Sequence, residues 1–212
     1  MTFCLRQHGT EVNSIPFVGD FCYYCLLDIV LLLLPCFYMV NLADFVCIGD
    51  SQLNRFCKFI KADPSLCLPG RSIREIHLYV KNLRSLPSNV IVLVGSNDLL
   101  RSGSSFPQIS RDFRAFIRHL CRRCSKIIVI TTPVIPFLCG ESQHLEWVRG
   151  LRDLACSFVP RVAVVDLGTW DERGLIRPDY FELRYYSGRA DRLHLNRKAF
   201  TYLLSLLDRV EV

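Results

Sequence analysis

From residue 45 onward, short uninterrupted apolar runs alternate with longer stretches in which apolar residues recur every three or four positions. The runs Phe45–Gly49, Asn89–Val94, Lys126–Thr132 and Val162–Leu167 lack the polar alternation of a one-sided sheet. They predict parallel strands buried on both faces, and Ser65–Leu68 predicts a shorter one. Between them, Gln52–Ile60, Ser72–Leu83, Phe106–Cys124, Glu141–Phe158 and Asn196–Val210 carry helical periodicity. Ile73, Ile76, Val80 and Leu83 form one stripe, and Phe113, Phe116, Ile117 and Leu120 another. Regular strand–helix alternation predicts an α/β fold, a parallel sheet with helices on both faces. No internal repeat, low-complexity tract or linker interrupts this region.

The amino-terminal segment follows a different rule. Phe21–Leu42 is almost wholly apolar and has about the ~20 residues that cross a bilayer, although Asp28 and Pro35 interrupt it. An aspartate at mid-membrane costs about 3 kcal/mol on insertion scales, and several leucines at about −0.5 kcal/mol each offset it, so hydropathy leaves the matter open. Geometry argues against a span, because only Ala43 and Asp44 separate the run from the strand at Phe45. A signal peptide fits poorly: the amino end has no basic cluster, and no small-residue cleavage site follows the run. Residues 1–43 therefore read as an extension to a domain at 44–212. It is an apolar helix packed on that domain, a membrane anchor, or a stretch of doubtful coding status. The expected location is cytoplasmic, with membrane anchoring through 21–42 as the alternative.

At 212 residues, half of them hydrophobic, the chain has ample material for a core. Its net charge is +6, yet residues 1–50 hold one basic residue, Arg6, against five acids, so the positive excess belongs entirely to the remainder. The eleven cysteines lie scattered in apolar contexts (Cys47, Cys67 and Cys156 among them) and form no compact framework, which favours free thiols in a reducing compartment. The pairs Cys22/Cys25 and Cys121/Cys124 stand too far apart in sequence for an ordinary zinc site, so no metal is expected.

Ligands of open α/β sheets bind beyond the carboxyl ends of strands, and those ends carry the chemistry here. The first ends in Gly49-Asp50-Ser51, the second is followed by Pro69-Gly70-Arg71-Ser72, and the third ends in Gly95-Ser96-Asn97-Asp98. Asp191-Arg192-Leu193-His194 precedes the last helix. Taken alone, Ser51 is an ordinary serine at a strand-to-helix turn. Together the four pieces supply a serine esterase. Ser51 is the nucleophile, His194 the base and then the acid, and Asp191 holds the imidazole tautomer. The N–H groups of Ser51 and Gly70 and the Asn97 side-chain amide are the candidate oxyanion donors.

In this order and spacing, Gly49-Asp50-Ser51, Gly70, Gly95-x-Asn97-Asp98 and Asp191-x-x-His194 resemble the four blocks of the SGNH (GDSL-type) hydrolases, over about residues 44–210. Within that family, Gly-Asp-Ser-Gln-Leu, Leu-Pro-Gly-Arg, Val-Gly-Ser-Asn-Asp and Leu-His-Leu-Asn look most similar to the esterase domains of some animal retrotransposons. The resemblance implies a three-layer α/β/α sandwich on a five-stranded parallel sheet of order 2-1-3-4-5, with the switch point between strands 1 and 3. The expected function is a serine esterase of this type that hydrolyses a small, acetyl-like ester through an acyl-enzyme, with no cofactor. Gln52 departs from the family name, which expects leucine there. Arg192 lies inside the Asp-x-x-His turn, where a cation lowers the histidine pKa or binds an acidic group.

Other residues carry plainer expectations. Asp50 and Asp98 are expected to cap helices or tie loops. His77, His119 and His144 are expected on helix surfaces or partly packed. Trp147, Trp170, Tyr185 and Tyr186 are expected in the core or at the rim, with 170–190 a long loop beside His194. The rival function rests on charge. Arg111, Arg114, Arg118 and Arg122 share one helix face, and Arg71, Arg74, Lys81 and Arg84 extend it, the footprint of phosphate binding. The resembled fold includes members that bind RNA after losing the catalytic residues, whereas here Ser51, Asn97, Asp191 and His194 are all present and favour the enzyme. The alternative is therefore a catalytically weak or silent module binding RNA through this basic face.

Overall fold

Every apolar run predicted as a strand joins one sheet. The computed structural model describes residues 41–101, 103–135, 138, 142–167, 177–183, 191 and 193–210. Its elements are β1 (Val46–Gly49), α1 (Ser51–Ile60), β2 (Leu66–Cys67), α2 (Ile73–Lys81), β3 (Asn89–Leu93), α3 (Ser96–Leu100), α4 (Phe106–Cys121), β4 (Lys126–Ile130), α5 (Ser142–Cys156), β5 (Ala163–Val165) and α6 (Arg197–Leu207). All strand pairings are parallel, in the order β2-β1-β3-β4-β5. The chain leaves β1 first toward β2 and then returns to β3 on the other side, which opens a crevice above β1 and β3.

Side chains alternating along the strands build two cores. Ile48, Val90, Val92, Ile127 and Val129 face the layer of α2, α4 and α5, where Ile76, Phe116, Ile117 and Leu120 are fully buried. Cys47, Ile91, Leu93, Ile128 and Ile130 face the layer of α1 and α6, where they meet Leu53, Phe56, Ala199 and Leu203. The Phe56 and Phe200 rings lie 5.7 Å apart and join those two helices. This is the expected α/β/α sandwich.

Helix ends follow local chemistry. Asp50 caps α1 through Gln52 N–H, Ser72 and Glu75 form a reciprocal capping box on α2, and Asn196 caps α6 through Ala199 N–H. The helices α2 and α4 stop before the predicted Leu83 and Cys124, because Leu83 and Arg123 N–H groups close tight turns on Val80 and Leu120 carbonyls. The helix α3 was not anticipated; five residues are too few to show a period, and Gly95, at φ 113°, starts it. His144 is buried and its Nε2 accepts from Ile135 N–H, which corrects its expected surface or half-packed setting. Cys47 and Cys67 are buried, whereas Cys156 is exposed at the end of α5, which corrects the apolar setting expected for it. Residues 1–40, Trp170, Tyr185, Tyr186 and Arg192 lie outside the described residues. Among those described, no helix is long and apolar enough to cross a membrane.

Candidate active site

Gly49 is forced by packing. A Cβ there would stand 2.3 Å from the Leu93 carbonyl oxygen and 2.9 Å from Leu53, so only glycine lets β1 pass into α1 this close to β3. Asp50 follows, fully buried. Its N–H donates to Leu93 O at 3.1 Å, Oδ1 accepts from Gln52 N–H at 2.9 Å, and Oδ2 accepts from Ser96 N–H at 3.3 Å. Burial pushes this carboxyl up to about 6 in spite of those donors. Asp98 plays a parallel part, accepting from Ile73 N–H at 2.9 Å, and burial raises it to about 6 as well. Both aspartates are the caps and loop ties that were expected. They lock the ends of β1 and β3 to one another and to the start of α2.

Ser51 thus begins α1 with its hydroxyl at the crevice and its N–H among those that a helix's first turn leaves unpaired. His194 reaches it from the far end of the chain, with Nε2 3.2 Å from Ser51 Oγ. On the other side of the ring, Nδ1 lies 2.9 Å from Asp191 Oδ2. Asp191 Oδ1 also accepts from the N–H groups of Leu193 and His194, both at 3.1 Å, so the carboxylate shapes the turn that carries the histidine. This segment is pinned to its surroundings by Glu182 N–H donating to His194 O at 2.8 Å and by the Phe181–Leu195 bridge.

Gln52 completes the assembly, and its role was not legible in the sequence, where it stood out only as a departure from leucine. Fully buried, it donates from Nε2 to Leu193 O at 2.7 Å and accepts at Oε1 from Leu195 N–H at 3.0 Å. It grips the peptides on both sides of His194, from the residue next to Ser51. Arg55 was likewise missed. One turn beyond Ser51 on α1, its guanidinium donates to Asp191 Oδ2 at 3.3 Å. The i, i+4 spacing from Ser51 was the available signal.

The electrostatics suit a base. Burial lowers the His194 pKa from its ordinary value and Arg55 lowers it further, while Asp191 opposes both. Burial pushes Asp191 up, but the His194 N–H and imidazole outweigh it and hold the carboxyl below its usual range. The imidazole is therefore neutral at neutral pH beside an ionised carboxylate.

Gly70 and Asn97 occupy the neighbouring strand ends. Gly70 adopts φ 76° in an exposed turn, and its carbonyl accepts from Arg101. The Asn97 side-chain amide donates to Arg71 O at 3.0 Å, tying the end of β3 to the turn after β2 and leaving one N–H uncommitted. A cleft of about 770 Å³ opens beside the nucleophile, lined by Ser51, His194, Arg55, Lys58, Arg197 and Glu182 among others. On the opposite layer, Arg74, Lys81, Arg114, Arg118 and Arg122 are exposed along the packed helices α2 and α4. Arg71 is engaged by Glu75 at 2.9 Å, and Arg111 donates to Gln108.

Known proteins similar to this chain fall into two groups. The maternal effect protein oskar of Drosophila virilis is 26% identical over 159 residues, 68% of this chain and 26% of that protein. The chain thus spans about a quarter of the length of this curated relative. The crystal structure of the OSK domain of Drosophila Oskar superposes with a TM-score of 0.67 at 21% identity, covering 82% of this chain and 90% of that one. A GDSL-like lipase from Bacteroides thetaiotaomicron superposes with a TM-score of 0.57 at 14% identity, covering 78% and 85%. Likeness at this level shows the SGNH-type fold and lends no support to esterase activity. Of the two functional readings, the Oskar matches sit better with the fold module than with the esterase. The resemblance to retrotransposon esterases is therefore corrected at the level of family: the OSK domain model matches residues 45–184, a span that contains Ser51, Gly70 and Asn97 and ends before Asp191, and the chain belongs to the OSK domain family.

Proposed function

We propose that the site is that of a serine hydrolase acting on ester bonds. The carrying observation is the continuous chain from Ser51 Oγ to His194 Nε2 at 3.2 Å and from His194 Nδ1 to Asp191 at 2.9 Å. In this reading Ser51 Oγ attacks the ester carbonyl and its proton passes to His194 Nε2. The C–O bond to the alcohol breaks and the alcohol leaves with that proton. Water then adds to the acyl-enzyme, giving its proton to His194, and the free acid and Ser51 are released. The Ser51 and Gly70 N–H groups and the uncommitted Asn97 N–H are the candidate donors to the oxyanion, each worth about 3 kcal/mol of barrier. No cofactor or metal enters the scheme.

Family membership supports a second reading better than it supports this one: a catalytically weak or silent module that binds RNA. The observation in its favour is the layer of α2 and α4, where Arg74, Lys81, Arg114, Arg118 and Arg122 are all exposed and where Leu78 and Tyr79 of α2 are exposed as well. The His77 and His119 rings meet at 5.4 Å between these helices. Exposed cations suit the phosphates of a nucleic-acid strand, and an exposed aromatic ring on the same layer suits an unstacked base.

One experiment separates the two. Turnover of 4-nitrophenyl acetate by the full chain, abolished in both Ser51→Ala and His194→Ala, establishes the hydrolase. A folded wild type with no turnover, or with turnover equal in all three, refutes it. In the latter case, salt-dependent binding of a single-stranded RNA oligonucleotide, weakened in Arg114→Gln/Arg118→Gln, carries the module reading.

A further inference from the structure

The cleft next to Ser51 is cationic, and its charge is organised by one helix face. Ser51, Arg55 and Lys58 stand at i, i+4 and i+7 on α1, so both cations rise on the same side as the nucleophile. Arg197, in the first turn of α6, closes the cleft from across, its guanidinium 5.9 Å from the Phe59 ring. Glu182 is the acidic residue among the lining. Arg55 is committed in part to Asp191, with its side chain 29% exposed. Among the described residues neither Lys58 nor Arg197 forms an ion pair, so two positive charges face the cleft uncompensated but for Glu182. Phe59, Phe200, Leu195 and Pro69 supply the apolar part of the wall. A concave, partly apolar wall beneath a cationic rim focuses potential on whatever enters it.

Resting on the hydrolase reading, we infer that this cleft selects esters carrying an anionic group, a carboxylate or phosphate, on the part of the substrate that lies along α1 and meets Lys58 and Arg197. The acetyl-like ester expected from sequence supplies no partner for these two cations. An acidic ester does, and it places its scissile carbonyl beside Ser51 while the apolar wall takes the intervening carbons. Arg55 links the two functions, since the same guanidinium that faces the cleft also holds Asp191.

The test uses the full chain and three chromogenic esters: neutral 4-nitrophenyl acetate, mono-4-nitrophenyl glutarate with the acid on the acyl side, and 5-acetoxy-2-nitrobenzoate with the acid on the alcohol side. At low salt, kcat/KM for one charged ester exceeds that for the neutral one by about tenfold or more, the lower end of electrostatic focusing. The charged ester that gains identifies which side of the substrate lies along α1. That ratio falls toward one in Lys58→Gln/Arg197→Gln, and falls in wild type as ionic strength rises. Turnover of 4-nitrophenyl acetate with no preference for either charged ester overturns the inference and leaves the hydrolase standing. A preference that persists in the double variant also overturns it. No turnover of any of the three by folded protein defeats the hydrolase reading itself. Suppression of neutral-ester turnover by an RNA oligonucleotide, lost in the double variant, overturns the small-substrate assignment in favour of nucleic acid.

Discussion

Replacing Gln52 by leucine tests how the site is held together. The two side chains are of similar size, so the core of α1 keeps its volume, but both hydrogen bonds to the histidine turn are lost. Leu195 N–H is left unpaired in a buried position and Leu193 O in a partly buried one. A stranded buried donor or acceptor costs about 1–3 kcal/mol, so the pair costs about 3 kcal/mol, weighted toward Leu195 because water reaches Leu193 more readily. For a domain of this size each kcal/mol shifts the thermal midpoint by about 2–4 °C, which gives a fall of about 6–12 °C. The catalytic effect is separate. His194 is carried between the two gripped peptides, and a displacement of about 1 Å costs on the order of a hundredfold in rate. Far below its midpoint, Gln52→Leu should therefore lose kcat toward 4-nitrophenyl acetate while KM changes little. Circular dichroism melts and steady-state kinetics at 15 °C read the two effects independently. A midpoint within about 2 °C of wild type together with an unchanged kcat would refute the argument, because an idle glutamine makes no difference to either.

Three further outcomes follow from named contacts. The acid limb of kcat/KM has its midpoint below the ordinary histidine value, because His194 acts as a base only when neutral and burial with Arg55 disfavours its charged form; Arg55→Gln moves that midpoint upward, and a downward or absent shift in the pH profile counts against the assignment. Gly49→Ala destabilises by about 1–3 kcal/mol, read as a lower urea midpoint at constant slope, since its Cβ meets the Leu93 carbonyl at 2.3 Å. Asp98 has a folded pKa raised to about 6, so the folded state binds the extra proton between about pH 4 and 6. The stability of wild type relative to Asp98→Asn therefore falls as pH rises through that window, and a rise in the same urea titrations would reverse the sign.

The sheet was legible because its strands are buried on both faces. Val90-Ile91-Val92-Leu93 cannot be mistaken for a surface strand, and neighbouring turns carry their own signals in Asp50, Ser72 and Asn196. Ser51, His194 and Asp191 were legible for a different reason, since each stands at a strand end or helix start where an α/β sheet gathers ligands. Gln52 and Arg55 were not. Their partners lie 141 and 136 residues away, and no period or cap signal reports a contact of that range. The helix α3 escaped because five residues cannot display a period. The burial of His144 escaped because helical spacing does not say which loop will fold over it. Family identity was misread at the finer level because the four blocks belong to the fold and its site, whereas the OSK match runs along 45–184 as a whole.

The polar groups buried around Ser51 bear on which function the fold serves. Asp50, Gln52 and Asp191 are at most 1% exposed, and desolvating such groups is unfavourable unless each finds its partners. Here each does, and the bonds converge on two results: the β1–α1 turn is fixed against β3, and the His194 turn is fixed against the first turn of α1. A module that works through the basic surface of α2 and α4, across the sheet, draws nothing from the second result. Apolar side chains at Gln52 and Asp191, with a shorter loop before α6, would hold that surface equally well without the desolvation cost. The physical return on this network is a histidine kept neutral, oriented and within reach of a serine, which supports the hydrolase reading on grounds independent of family. The same reasoning fixes what would count against it: if Ser51→Ala, Gln52→Leu and Asp191→Asn leave RNA binding intact and the wild type turns over no ester, the network stabilises only the turn.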